Sequence, residues 1–243
     1  MTDPGRGRGK APGDAALFSS KNLIAVTEAV SDFSFLLTRG YGENSGLAIV
    51  GDRYHLTKRQ RMMVLRASCS DDARGGRLAR SVSLDLVRGR PVFIDGLNIL
   101  ITIEAALSGG VVFKGRDSAV RDIAGVHGTY RKGLRTAEAI DILLAFLGGA
   151  EVTEIDVLLD APVSNSGRIK QMIDDGATRR GLSAAVSLVT NPDRVLASAA
   201  GVIVTSDAWI LDNVSGWLNV LDILYRRSPP VFDAPLSADF SRV

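Results

Sequence analysis

The chain has one cysteine, Cys69, and two histidines in 243 residues. A lone thiol cannot close an internal disulfide and cannot build a Cys-based metal centre. The shortage of histidine, with no G-x-S-x-G elbow, leaves a Ser-His-Asp hydrolase little support. No G-x-G-x-x-G follows a strand-like run, so the usual signature of a dinucleotide site is missing. No apolar run is long enough to span a bilayer. The first fifteen residues are rich in Gly, Arg and Pro and lack the apolar centre of a signal peptide. There are no internal repeats. These absences favour a reducing, cytoplasmic setting with no membrane partner.

What the chain does have is apolar bulk. Hydrophobic residues make up 46% of it, enough for a substantial core at this length. Composition divides it into a disordered basic tail over 1–18, a mainly helical basic region over 19–88, an α/β domain over 89–228 and an irregular tail over 229–243. Charge follows the same division. Residues 1–90 carry 15 Lys/Arg against 9 Asp/Glu, and residues 91–243 carry 14 against 18. A basic half beside an acidic half suits a polyanion grip next to a cation site.

Within the basic half, Leu23, Val26, Val30, Phe33 and Leu37 recur at helical spacing and predict a helix over Asn22–Arg39, capped by Ser19 or Ser20. The following glycines and Asn44 read as turns around Leu47–Val50. Thr57 and Gln60 form a capping box that opens a second helix to Ser70. Lys58, Arg59, Arg61 and Arg66 on that helix are candidate nucleic-acid phosphate contacts. The alternative is a solvated face whose arginines pair with Asp52, Asp71 or Asp72.

The α/β half is organised around Pro91–Glu104, PVFIDGLNILITIE. Val92, Phe93 and Ile94 form a short apolar run that ends in Asp95, as a buried parallel strand would. Further strand-like runs are Ile155–Leu159 ending in Asp160, Ala184–Val189, and Val202–Thr205 just before Asp207. Helical segments alternate with them, which argues for βα units and a parallel sheet. Thr136 is expected to cap a helix that carries Glu138 and, in the apolar run AIDILLA, Asp141.

Parallel strands end on one edge, so Asp95, Asp160 and Asp207 should converge there, where open α/β sheets place ligands. Crowded carboxylates need a cation, and an oxygen-only set suits Mg²⁺ or Mn²⁺. Each Asp could instead cap the turn after its strand. After Asp160, the loop APVSNSGRIK enters a helix through Ser164 and Ser166. Free N–H groups there, with Arg168 and Lys170, could take a phosphate; simple capping is the competing reading.

The combination VFIDGLN, AIDILLA and VIVTSDAWILD resembles the PIN/NYN nuclease superfamily. Asp95 matches its first acid, Asn98 the Asn of NYN-type members, Asp141 the central helix acid with Glu138 as a substitute, and Asp207 the late acid. Asp212 corresponds to a further one. Two departures stand out. NYN members often carry a D-x-D arrangement after the late strand, whereas Ala208 and Trp209 follow Asp207 here. Asp160 lies where many PIN relatives have no catalytic acid. The segments DFSFLLTRGYG and VGDRYHLTKRQRMMVLRASCS also resemble the N-terminal region of a prokaryotic family with no assigned substrate.

The resemblance implies a three-layer PIN-like α/β fold with a central parallel sheet, preceded by a mainly helical region. It implies a Mg²⁺- or Mn²⁺-dependent nuclease acting on RNA, with Asp95, Asp141, Asp207 and Asp212 on metal and Asn98 and Asp160 beside them. A homodimer is expected on the same ground. A second reading is a non-catalytic RNA-binding protein on this fold. A third, a small-molecule phosphatase, is weaker, because D-G-L-N stands where a haloacid-dehalogenase-like enzyme wants D-x-D.

Overall fold

A computed structural model describes residues 9–123, 135–227 and 230–243. It is a three-layer α/β structure with a helical N-terminal region. Among the described residues no helix is long and apolar enough to cross a membrane.

The N-terminal region holds α1 (Asp14–Leu17), α2 (Ser20–Thr38), α3 (Glu43–Arg53), α4 (Lys58–Ala67) and α5 (Asp71–Ala79). Residues 1–8 of the expected tail lie outside the described residues. The rest of it is not structureless: Asp14 is buried and takes a bidentate pair from Arg59 at 2.7 and 2.8 Å, which pins α1 to α4. In α2, Val26, Ala29, Val30 and Phe33 are fully buried, as their spacing requires.

Helix α3 corrects the turn-rich reading of its sequence. Its glycines are there for packing. A Cβ on Gly46 would sit 3.1 Å from the Phe33 ring, and one on Gly51 would overlap the Arg61 guanidinium. The capping box that opens α4 is present on both sides, Thr57 to Gln60 and back.

After β1 (Ser81–Val82), the chain enters β2 (Pro91–Asp95) and passes straight into α6 (Gly96–Leu107). Gly96 permits this. A Cβ there would stand 2.6 Å from Leu159 and 2.8 Å from Val157. Then come β3 (Val112–Lys114), β4 (Val120–Asp122), α7 (Thr136–Gly149), β5 (Glu154–Asp160), α8 (Ser166–Arg180) and β6 (Ala184–Val189). The chain continues through α9 (Pro192–Ser198), β7 (Val202–Val204), α10 (Ala208–Asn213), β8 (Trp217–Leu218), α11 (Val220–Tyr225) and β9 (Ala238–Asp239). Thr136 does not cap α7. Its hydroxyl meets the buried Glu104 on α6 instead.

Six parallel strands form the central sheet in the order β1-β8-β7-β2-β5-β6. One face is covered by α6, α7, α8 and α11 through residues such as Ile99, Leu143, Ile173 and Leu221. The other is covered by α9 and α10 through Leu196, Ile210 and Leu211. Large apolar side chains on both faces are what a doubly covered parallel sheet needs.

The C-terminal segment is irregular over most of its length, as expected, but it is anchored by a short strand. Strand β9 pairs in parallel with β3, which pairs antiparallel with β4. Phe240 then packs edge-on to Phe113 at 6.1 Å, in the same core as Val26, Phe33 and Met63. The helical region therefore shares its core with this small sheet and is not a separate appendage. It is also tied to the main sheet, where the Trp217 indole N–H donates to the Arg77 carbonyl at 2.7 Å.

Candidate functional site at the carboxyl edge of the sheet

The chain moves outward from β2 to β5 and β6, then returns to lay β7 against the opposite side of β2. The strand order thus reverses between β2 and β7. In open α/β sheets the crevice beyond the carboxyl ends at such a point is where ligands bind. Asp95 ends β2 there, and Thr205–Ser206–Asp207 follows β7 directly across from it.

Hydrogen bonds hold the two strand ends together. The Thr205 hydroxyl donates to Asp95 Oδ2 at 2.9 Å and accepts the Asp207 N–H at 3.0 Å. Asn98, one turn into α6, accepts from both the N–H and the hydroxyl of Ser206, at 2.9 and 2.8 Å. Its carbonyl oxygen is thereby committed to the turn, so Asn98 positions the chain at Ser206. Asp207 opens α10, accepting the N–H groups of Trp209 and Ile210 through a single carboxylate oxygen, Oδ1.

The acids at this edge are crowded. Burial raises the Asp95 carboxyl to about 7; repulsion from Asp207 and Asp193 adds to it, against the Thr205 hydrogen bond. Asp193, in the first turn of α9, is raised as well, by burial and then by the charges of Asp207 and Asp160. Asp160 Oδ1 is buried with no hydrogen-bond partner among the described residues. Four carboxylates thus feel one another from the ends of four consecutive parallel strands of the chain, β2, β5, β6 and β7.

Asp193 was not singled out by the sequence. An acid in a first turn is common for helix-dipole reasons alone. The available signal was its place, four residues past the end of β6.

Beside the acids, a cleft of about 380 Å³ opens between α4 and α5 of the N-terminal region and α10 of the sheet domain. Arg66, Arg77, Arg121, Ser70, Leu65 and Asp207 are on its wall. Two of these arginines are built into the structure. Arg121 donates twice to Asp117, both at 2.7 Å, and once to the Ser206 carbonyl at 2.7 Å. Arg77 donates to Asp117 at 2.7 Å and forks onto Asp212 at 2.7 and 2.6 Å. Burial alone would raise the Asp117 carboxyl, yet Arg121 and Arg77 hold it at about 2. The chain Arg77–Asp117–Arg121–Ser206 joins the N-terminal helices to the turn that presents Asp207.

Other expected site residues lie elsewhere. Asp141 is half exposed and pairs with Arg180 at 2.9 Å. Helix α8 begins beside Asp160, and Arg180 is the last of its 15 residues, about 20 Å of helix rise away. Asp141 is therefore not at the carboxyl edge, and Glu138 does not replace it, since it pairs with Arg135 at the start of α7. Asp212 is near Asp207 but is held by Arg77, so it is not an open metal ligand.

The expected phosphate contacts separate in the same way. Arg59 is spent on Asp14, and Arg61 on Asp52 at 2.6 Å. Lys170 is taken up by Asp174 and the Val186 carbonyl. The Ser166 hydroxyl donates to the Asp160 and Val163 carbonyls, which closes the loop before α8. Lys58, Ser164 and Arg168 are exposed. Arg66 alone in this group lines the cleft beside Asp207.

Among the described residues no three His, Cys, Asp or Glu side chains stand close enough to share a metal ion. The site does not fit a closed, all-protein cage. Its crowded acids and the orphaned Asp160 Oδ1 fit a hydrated Mg²⁺ or Mn²⁺, which is usually held by one or two carboxylates and completed by water and substrate phosphate.

A doubly covered parallel sheet with acids at its switch point defines a class of α/β domain. Within that class, the chain belongs to the family described as Domain of unknown function (DUF5616), whose profile matches residues 84–223. Residues 25–80 match a second profile, Protein of unknown function (DUF434). The chain is 30% identical over 188 residues to Uncharacterized protein MJ0935 of Methanocaldococcus jannaschii, covering 77% of this chain and 89% of that protein. No solved structure matches it.

Proposed function

We propose that the chain is a Mg²⁺- or Mn²⁺-dependent nuclease that hydrolyses phosphodiester bonds of RNA. The observation that carries this reading is the convergence of Asp95, Asp160, Asp193 and Asp207 at the switch point, next to an arginine-lined cleft. The resemblance of VFIDGLN and TSDAWILD to PIN/NYN nucleases supports it and is the ground for choosing RNA. The cytoplasmic setting and the homodimer belong to the same proposal.

Asp95 and Asp207 would hold the ion, with Asp160 and Asp193 as outer acids. When bound, the ion supplies Lewis-acid stabilisation of phosphate oxygens. The chain's own groups do the rest. Thr205 keeps the Asp95 carboxylate aimed across the switch point, and Asn98 and Arg121 fix the Ser206 turn that carries Asp207. Without an ion, burial and the neighbouring acids raise the Asp95 carboxyl to about 7, and a bound cation would favour its charged form.

The test incubates purified protein with mixed single-stranded and structured RNAs and DNAs in Mn²⁺, Mg²⁺ or EDTA, beside Asp95→Asn. Metal-dependent RNA cleavage lost in the variant is the expected result; cleavage retained by Asp95→Asn would sink the assignment. A second reading, RNA binding without cleavage, draws on the salt bridge that occupies Asp212 and the lack of a three-acid group among the described residues. Salt-sensitive binding with no cleavage in any metal would favour it. Sedimentation of the purified chain tests the dimer.

A further inference from the structure

We propose that the cleft between the N-terminal helices and the sheet edge is a nucleotide subsite, and that Arg66 is its phosphate contact. The choice of a nucleotide rests on the nuclease reading; the case for a site rests on the cleft itself. Arg66 projects from α4, and its side chain is only 24% exposed. Its guanidinium makes no hydrogen bond among the described residues, and its nearest carboxylate, Asp122, is 3.9 Å away. Arg77 and Arg121, on the same wall, are paired at 2.6–2.7 Å.

Asp122 offsets part of the charge without using the guanidinium's five donors, and those donors are what an incoming anion can take up. Phosphate is the anion that matches a guanidinium fork. The cavity, about 380 Å³, is of small-ligand size. Leu37 and Leu65 give it an apolar wall for a base, and Ser70 adds a hydroxyl. Asp207 belongs to both the cleft and the acid edge, so a nucleotide held on Arg66 lies next to the acids. The N-terminal region then contributes a residue to the site, which gives its docking onto the sheet a purpose beyond stability.

The experiment is calorimetric titration of the full chain with adenosine 5′-monophosphate and with adenosine, in buffer without divalent metal. Proteins compared are the wild type, Arg66→Gln, Arg66→Lys and, as a control on the same helix, Lys58→Gln. The expected result is binding of the monophosphate well above adenosine. Arg66→Gln should weaken it about tenfold or more, Arg66→Lys should recover part of it, and Lys58→Gln should leave it unchanged. Thermal melting of each variant checks the fold, and recovery by Arg66→Lys separates a lost contact from a lost structure. Equal binding by wild type and Arg66→Gln would overturn the proposal, as would wild-type protein that does not bind the monophosphate or prefers adenosine. Monophosphate binding through Arg66 without RNA cleavage would leave the subsite standing and remove the nuclease; cleavage indifferent to Arg66 would do the reverse.

Discussion

The buried cluster of Arg77, Asp117 and Arg121 and the acids around Asp95 are made of the same few residue types and lie on two sides of one turn. They are balanced in opposite ways. Asp117 sits between two guanidiniums, and its carboxyl is held down at about 2. Asp95 is equally enclosed by protein, has only a hydroxyl and a backbone N–H to lean on, and is pushed up to about 7. A buried charge that is fully matched does structural work. One left facing other charges of its own sign costs stability, and such groups cluster at functional sites.

The largest effect should come from breaking the matched cluster. Asp117→Asn leaves Arg77 and Arg121 without their shared carboxylate and should cost about 3–5 kcal/mol in urea unfolding at neutral pH. Asp95→Asn, made in an environment that disfavours the charge, should cost little or stabilise. Equal losses in the two variants would erase the contrast.

pH sharpens it. Asp95 binds its proton more tightly folded than unfolded, so its contribution is full below its ordinary pKa of 3.8 and is lost as pH rises through about 7. The gap is worth at most about 4 kcal/mol. Asp117 is the reverse case: its contribution is present above 3.8 and is lost as pH falls through about 2. In metal-free buffer, Asp95→Asn should therefore gain on the wild type between pH 4 and 7. Parallel stability curves over that window would contradict the raised carboxyl. Removing Asp193 should lower the Asp95 pKa, a change readable by carboxyl NMR titration.

A smaller effect tests how the acid edge is assembled. Gly96→Ala puts a methyl into Leu159 and Val157, where α6 leaves β2 without a loop. Overpacking of this kind should cost about 1–3 kcal/mol, measured by denaturant midpoint. A neutral substitution would mean the helix start has slack and Asp95 is less firmly placed than its contacts imply.

Much of this arrangement was legible in the chain. β-Branched runs bounded by turns located β2, β5, β6 and β7, and the switch point follows from their order once the sheet is parallel. Asp95, Asp160 and Asp207 could be placed at the edge because a strand end fixes position as well as structure. What could not be read depends on contacts between distant segments. Gly46 and Gly51 look like turn residues until Phe33 and Arg61 are packed against them. Phe240 looks like a loose end until β9 adds to β3. Arg59, Arg61 and Arg66 are alike in sequence, and only their partners distinguish two structural cations from one that faces a cleft.

Asp141 shows the same limit for an acid, and it gives the smallest expected effect. An Asp within AIDILLA looks costly and hence functional, but the helix turns it outward to Arg180, where both side chains keep contact with water. An exposed pair of this kind is worth well under about 1 kcal/mol. Asp141→Asn should therefore shift the urea midpoint barely at all and leave any RNA cleavage at the wild-type rate, while Asp95→Asn abolishes it. If Asp141→Asn instead removed cleavage without changing stability, the four acids at the carboxyl edge would not be the whole site, and α7 would have to reach the carboxyl end of the sheet in the active form.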